Sequence, residues 1–337
     1  MKLAELIISE ARERGIRHFF GIPGGGCPLD LMEYGRRLGV EFISVAHEST
    51  AAIAGAYNGL MKDTAGLALS VKGVGAGNLA GGAVNAHFER GPVVCLCESA
   101  SSTVTRGGLV QHCAHGELFG SVIKYSGTLS PEGAPEMLRE AWFRALDGRS
   151  GPVLLDLPSD LGDADCGGPL PPLPASIDSP APAASIEAAR AFLERSVKPA
   201  VVAGADVTRA GATPELVELV ERIGAAVLST MDGRGAFPES HPRWAGVMTG
   251  TWVDNTVEME VLQRADAVLF AGADAMMAHV PWSFPLPVCE LVARPEHLSF
   301  TADPEVRVDG DLKASIARLT AAGEGFSLAE LAASDAA

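Results

Sequence analysis

Short runs of consecutive apolar residues recur along the first half of the chain at His18–Ile22, Phe42–Ala46, Leu67–Val71, Pro92–Cys97 and Pro152–Leu157. Between them, over 3–14, 28–38, 49–62, 77–89 and 132–147, apolar positions fall three and four residues apart. A run without a polar alternate has no face to give to water, so it reads as a strand buried on both sides; the spacing between runs reads as helix. Strands alternating with helices predict a mainly parallel sheet covered on both faces. The alternation resumes later, with helices at 185–194, 214–223 and 254–264, strands at 200–203, 225–229 and 267–271, apolar runs near 287–292 and 297–301, and a closing helix at 311–321. Prolines crowd residues 166–184, and a residue with fixed φ and no N–H suits neither a helix interior nor a central strand. The pattern thus predicts an α/β chain of two doubly wound domains, 1–165 and 185–323, joined by a linker at 166–184 and followed by a frayed tail at 324–337.

Composition narrows the functions such a chain can have. With 47% hydrophobic and 20% charged residues among 337, both domains can bury a core. A formal charge of −16 leaves no basic stripe to displace counterions from a phosphate backbone, so nucleic acid is not an expected partner. Glu5 and Glu10 interrupt the apolar amino end, which excludes a signal peptide reading, and no stretch is long and apolar enough to span a membrane. The six cysteines are scattered without a disulfide framework and read as reduced thiols, which places the protein in a cytoplasm.

The candidate chemistry starts at Glu48, where the strand of Glu41 to Ala46 gives way to a helix of small residues. A carboxylate buried between apolar elements without a partner costs several kcal/mol, so something polar should meet it. Two glycine-dense turns, Gly21 to Cys27 and Gly73 to Asn78, also follow strands. They lie at the edge where open α/β sheets bind ligands, and a helix starting near Asn78 would offer free N–H groups. Tight turns without a ligand explain either cluster equally well. The spacing of Gly73, Gly75 and Gly77 misses the dinucleotide pattern.

The order of these motifs resembles the thiamine-diphosphate-dependent family of acetohydroxyacid synthases and 2-oxo acid decarboxylases. Gly21-Ile22-Pro23-Gly24-Gly25 is similar to the family's first loop, and His47-Glu48 with its small-residue helix to the segment carrying the cofactor-activating glutamate. Gly73 to Asn78 is similar to its glycine turn, and Gly148 to Pro158 to the strand ending its pyrimidine-binding domain. Lys198 to Ala205, Gly233 to Pro242 and Ala265 to Ala273 resemble its central domain. Val74, Gly77 and Lys72 depart from the family's usual proline, threonine and small polar residue. The family's third domain, which holds diphosphate and magnesium through Gly-Asp-Gly and a later asparagine, has no counterpart here, since Asp309-Gly310-Asp311 is differently ordered.

The resemblance implies specific roles. Glu48 would bond a pyrimidine ring nitrogen so that the cofactor's own amine takes the proton, with Pro23, Val74 and Asn78 as further cofactor contacts. Gly25, Gly26 and Cys27 would line the substrate pocket. Gln111 and His112 would act on the substrate side, and a solvated loop is the competing reading for His112 and the favoured one for His115. No metal ligand is assigned to this chain. The implied protein is a catalytic subunit that decarboxylates a 2-oxo acid and transfers the acyl anion to a carbonyl acceptor, or simply decarboxylates. A complementary subunit with Gly-Asp-Gly would carry diphosphate and magnesium, giving a hetero-oligomer with a dimeric core. A non-catalytic scaffold or regulatory relative stays open as an alternative. So does a nucleotide-binding protein, with a flavin or adenine nucleotide at the turns Ala203 to Asp206 or Ala271 to Asp274.

Overall fold

The computed structural model describes residues 1–104, 111–169, 172–173, 179–294 and 296–321. The chain divides into two compact units, Met1–Ser176 and Ile177–Ala337. The first unit runs α1 (Leu3–Glu13), β1 (His18–Gly21), α2 (Cys27–Leu38), β2 (Glu41–Ser44), α3 (Glu48–Met61), β3 (Gly66–Ser70), α4 (Val74–Phe88), β4 (Val93–Ser99), α5 (His115–Phe119), β5 (Ser126–Thr128), α6 (Ala134–Leu146) and β6 (Pro152–Pro158). Its six strands are all parallel, in the order β2-β1-β3-β4-β6-β5.

Strand alternation explains why β3, β4 and β6 are apolar at nearly every position. Leu67, Leu69, Val94, Leu96, Val153 and Leu155 face a core built with α1, α2 and α6, while Ala68, Val93, Cys95, Cys97 and Leu154 face α3, α4 and α5. On the first face, Leu3, Leu6, Ile7 and Ala11 form the buried stripe of α1. Each buried leucine or isoleucine there contributes about 1.5–3 kcal/mol. The second face is built from alanine and glycine, which lets helices approach closely. A Cβ added at Gly82 would lie 2.3 Å from the Ser49 carbonyl oxygen, so the start of α3 is drawn against α4. That approach brings Glu48 within reach of Asn78.

The second unit runs α7 (Ala183–Glu194), β7 (Pro199–Ala203), α8 (Ala205–Arg209), α9 (Thr213–Ile223), β8 (Ala226–Ser229), β9 (Trp244–Val247), α10 (Val257–Leu262), β10 (Ala267–Ala271), β11 (Val288–Val292), β12 (Val306–Asp309) and α11 (Leu312–Ala321). Its strands are again parallel, in the order β12-β11-β10-β7-β8-β9. The doubly wound α/β architecture expected from the hydrophobic pattern is therefore present in both units.

Several elements differ from expectation, and each difference has a local cause. Strand β2 is an edge strand with Glu41 and Ser44 exposed, not a buried one. The other edges, β5, β9 and β12, are short and half-exposed; the mixed residues of β5 and β12 give no apolar run to detect, and β9 is only four residues, Trp244 to Val247. Residues 297–301 form no strand; Phe300 instead stacks on Phe270 with ring centroids 4.1 Å apart. The helix expected over 254–264 shrinks to α10, because Trp252 and Asn255 take φ of +53° and +67° just before it. Helix α4 begins at Val74, three residues before the expected stretch 77–89, so Asn78 lies inside it rather than near its start. The proposed tail at 324–337 lies outside the described residues.

Candidate functional site

All strands of the first sheet point the same way, so their carboxyl ends share one edge. The turn after β1, the start of α3 and the turn after β3 all leave from it. The chain steps from β1 to β2 on one side and returns to β3 on the other, a reversal that opens a crevice between the departing loops.

Glu48 is the first residue of α3 and is only 6% exposed. An acidic side chain in a first helical turn meets the positive end of the helix dipole. His47 caps the same turn, its Nδ1 accepting the Ser49 N–H at 3.2 Å. The Asn78 side-chain amide donates to Glu48 Oε2 at 3.0 Å, and Ser49 Oγ donates to the Asn78 carbonyl at 2.6 Å. Among the described residues Oε1 accepts no hydrogen bond, and Glu48 has no ion pair. Gly75 forms the adjacent wall: a Cβ there would stand 3.2 Å from Oε1 and 2.7 Å from Val71 Cγ2. A mostly buried carboxylate with one oxygen committed and the other beside a glycine is suited to accept an N–H from a flat heterocycle.

The turn that supplies Gly75 is tied down at two consecutive residues. Lys72 Nζ pairs with Glu98 Oε1 at 2.8 Å, and Glu98 is buried at the end of β4. The Gly73 N–H donates to His115 Nε2 at 3.2 Å, and His115 Nδ1 lies 2.6 Å from Asp156 Oδ1 on β6. His115 is 2% exposed, which corrects its expected place in a solvated loop. Neither spacing nor motif marks it, because Asp156 lies 41 residues away in sequence.

The other expected site residues fall into distinct places. Asn78 touches Glu48 directly, and Val74 is exposed in the first turn of α4. Pro23, Gly25 and Gly26 are exposed in the turn after β1, with nothing within 4 Å of a Cβ built on Gly25. Cys27 is in the core beneath that turn instead of on a pocket wall, its thiol donating to the Leu157 carbonyl at 3.4 Å. Burial, with the nearby charges of Glu98 and Asp30, pushes this thiol well above its usual range. It is therefore neither a nucleophile nor a ready ligand.

Gln111 and His112 are exposed, with Gln111 at φ +61°. Together with Lys72, His115, Ser126 and Asp156 they line a cleft of about 620 Å³. The Gln111 carbonyl lies 2.5 Å from the position of a Cβ on Gly73, so this loop abuts the glycine turn. Residues 105–110 of the same loop lie outside the described residues. Among the described residues, no group of three or more His, Cys, Asp or Glu side chains is placed to hold a metal ion, and no helix is long and apolar enough to cross a membrane. All six cysteines are free.

In the second unit, the turns considered for a nucleotide pack on each other. A Cβ at Gly204 would lie 2.2 Å from the Gly272 carbonyl oxygen and 2.3 Å from Ala273 Cα. Asp206 and His297, both buried, approach to 3.0 Å beside them, and Asp274 accepts the Met276 N–H at 3.0 Å.

Comparison with known proteins finds matching families, similar sequences and a similar fold. Residues 1–120 match the thiamine pyrophosphate enzyme N-terminal TPP binding domain, and residues 186–319 match the thiamine pyrophosphate enzyme central domain. A relative assigned as an acetolactate synthase large subunit in Methanocaldococcus jannaschii is 32% identical over 274 residues, which is 78% of this chain and 46% of the relative. Sulfoacetaldehyde acetyltransferase of Castellaniella defragrans is 28% identical over 340 residues, 98% of this chain and 56% of that protein. The chain spans about half the length of the curated relatives it matches. A solved structure from Mycobacterium smegmatis, described as that of a thiamin diphosphate-dependent enzyme, superposes with a TM-score of 0.79 at 22% identity, covering 95% of this chain and 62% of that one.

Proposed function

The chain belongs to the thiamine pyrophosphate enzyme family, and from that premise we propose that its first unit supplies the aminopyrimidine side of a thiamine diphosphate site. The site serves to decarboxylate a 2-oxo acid and transfer the acyl unit to a carbonyl acceptor, in the manner of acetolactate synthase. The observation that carries this reading is Glu48, buried, held through one oxygen by Asn78 and unbonded at the other among the described residues.

When bound, the cofactor supplies the electron sink for decarboxylation. Glu48 Oε1 would accept an N–H of the pyrimidine ring, and the apolar niche would make that charge-assisted bond stronger than it is in water. Asn78 keeps the carboxylate oriented, and Gly75 leaves the heterocycle room. Val74 and Pro23, exposed in the two turns, would be its further contacts. The exposed Gly25 would leave space for substrate, with Gly26 packed on Ser159 at the end of the same turn, and Gln111 with His112 would hold or move a proton at the substrate oxygen.

Diphosphate and magnesium belong, on this reading, to a complementary subunit carrying Gly-Asp-Gly, in a hetero-oligomer with a dimeric core. The test is reconstitution. The chain, thiamine diphosphate, magnesium and the complementary subunit are combined with a panel of 2-oxo acids, and carbon dioxide and acyl products are measured. Decarboxylation is expected only in the complete mixture, with a carboligated product when an acceptor carbonyl is added. Equal turnover by the chain alone refutes the divided site, and a complete mixture that consumes no oxo acid refutes the reaction.

A further inference from the structure

We propose that the buried His115–Asp156 pair is a positioning device for the glycine turn, holding the Gly73 backbone so that Gly75 keeps its place beside Glu48. The inference rests on the cofactor reading above only for its purpose; the clamp itself is a matter of hydrogen bonds within this chain.

The bonding pattern fixes the state of the ring. Because the Gly73 N–H donates to Nε2, that nitrogen must present a lone pair. A neutral imidazole then carries its proton on Nδ1, which faces Asp156 Oδ1 at 2.6 Å. His115 is thus a rigid spacer, accepting from the turn on one side and donating to β6 on the other. Keeping so polar a ring at 2% exposure is costly unless both nitrogens are satisfied, and here both are.

The turn needs such a spacer. Gly73 adopts φ +61° and has no side chain with which to anchor itself. The amides that follow belong to the first turn of α4 and have no intrahelical acceptor of their own. Lys72 anchors its side chain to Glu98, but through a long, partly exposed stem. His115 grips the backbone directly. Two residues farther on, Gly75 stands against both Val71 and Glu48 Oε1, so a slip of the turn closes or opens the niche where a heterocycle would lie.

His115 and Asp156 are assigned as positioning residues, since neither is in contact with Glu48. The test combines amide hydrogen exchange at Gly73 in the full chain with the thiamine diphosphate Kd of the reconstituted complex. His115→Phe fills the ring's space without an acceptor, and Asp156→Ala removes the group that orients the ring. Both are expected to speed Gly73 exchange about tenfold and to weaken cofactor binding about tenfold, the scale of one lost buried hydrogen bond. Asp156→Asn, whose carbonyl can still accept from Nδ1, is expected to restore values close to wild type. Unchanged Gly73 exchange in folded His115→Phe or Asp156→Ala overturns the clamp, and faster exchange with an unchanged Kd overturns its positioning role. A wild-type complex that binds no cofactor would defeat the functional reading instead, while the exchange data would still decide the clamp.

Discussion

Both units wind six parallel strands with helices on either face, and in both the strand order reverses beside a glycine-bearing turn. They differ in what fills the crevice at that reversal. In the first unit Gly75 leaves open the side of a carboxylate whose second oxygen has no bonded partner among the described residues. In the second, Gly204 brings its turn against the backbone of Gly272 and Ala273, and the space closes on itself. Buried acids show the same contrast. Glu290 receives Ser299 Oγ at 2.6 Å, the Phe300 N–H at 2.9 Å and Arg307 at 3.4 Å. Glu258 Oε2 is a buried oxygen without a partner among the described residues, but at 0% exposure no ligand reaches it without displacing the fold, whereas Glu48 is 6% exposed. Glycine at a strand end is therefore not in itself a ligand signature. What separates the two edges is whether the room that glycine makes is left empty or used by the chain.

The sharpest break of this comparison is Glu48→Gln. Glutamine keeps the shape and can still meet Asn78, so the thermal midpoint should barely move. Loss of the charge should lower turnover of the reconstituted complex by about a hundredfold or more, on the order of 3 kcal/mol in the barrier. Wild-type turnover would put Glu48 among the merely structural acids. Next in size is Gly204→Ala, which forces a methyl into backbone and should cost about 3 kcal/mol of stability in denaturant unfolding. An undisturbed unfolding midpoint would mean that the second edge is as open as the first. Gly25→Ala is its counterpart: nothing lies within 4 Å of the new methyl, so stability should change by less than about 0.5 kcal/mol.

How much of this could be read from the sequence follows from where each element sits. The inner strands β3, β4, β7 and β10 announce themselves because both of their faces are buried and every position but Glu98, near the end of β4, is apolar or small. The edges β5 and β12 do not, since solvent permits polar residues there, and β9, though apolar, is only four residues long. Helix α4 starts earlier than its glycines suggest because close packing on α3 outweighs their poor helix propensity. Glu48 was legible as an acid at a strand-to-helix junction within a recognisable series of motifs. His115 was not, since its meaning depends on Gly73 and Asp156, which only the folded sheet brings to it.

The smallest expected effect concerns Glu290, a buried acid that three donors of its own unit serve. Burial raises its pKa above the ordinary 4.5, opposed by the Ser299 and Phe300 hydrogen bonds and the Arg307 charge. A carboxyl whose folded pKa is raised binds its proton more tightly in the native state than in the unfolded chain. Its contribution to stability is therefore full below pH 4.5 and is lost as pH rises through the folded value. Glu290→Gln cannot titrate, so the stability difference between wild type and variant should shift towards the variant as pH increases from 4.5 to 7. Urea unfolding of both proteins at the two ends of that range measures it. A difference that stays constant with pH would show that the three hydrogen-bond donors offset the burial, leaving this acid no more perturbed than one in water.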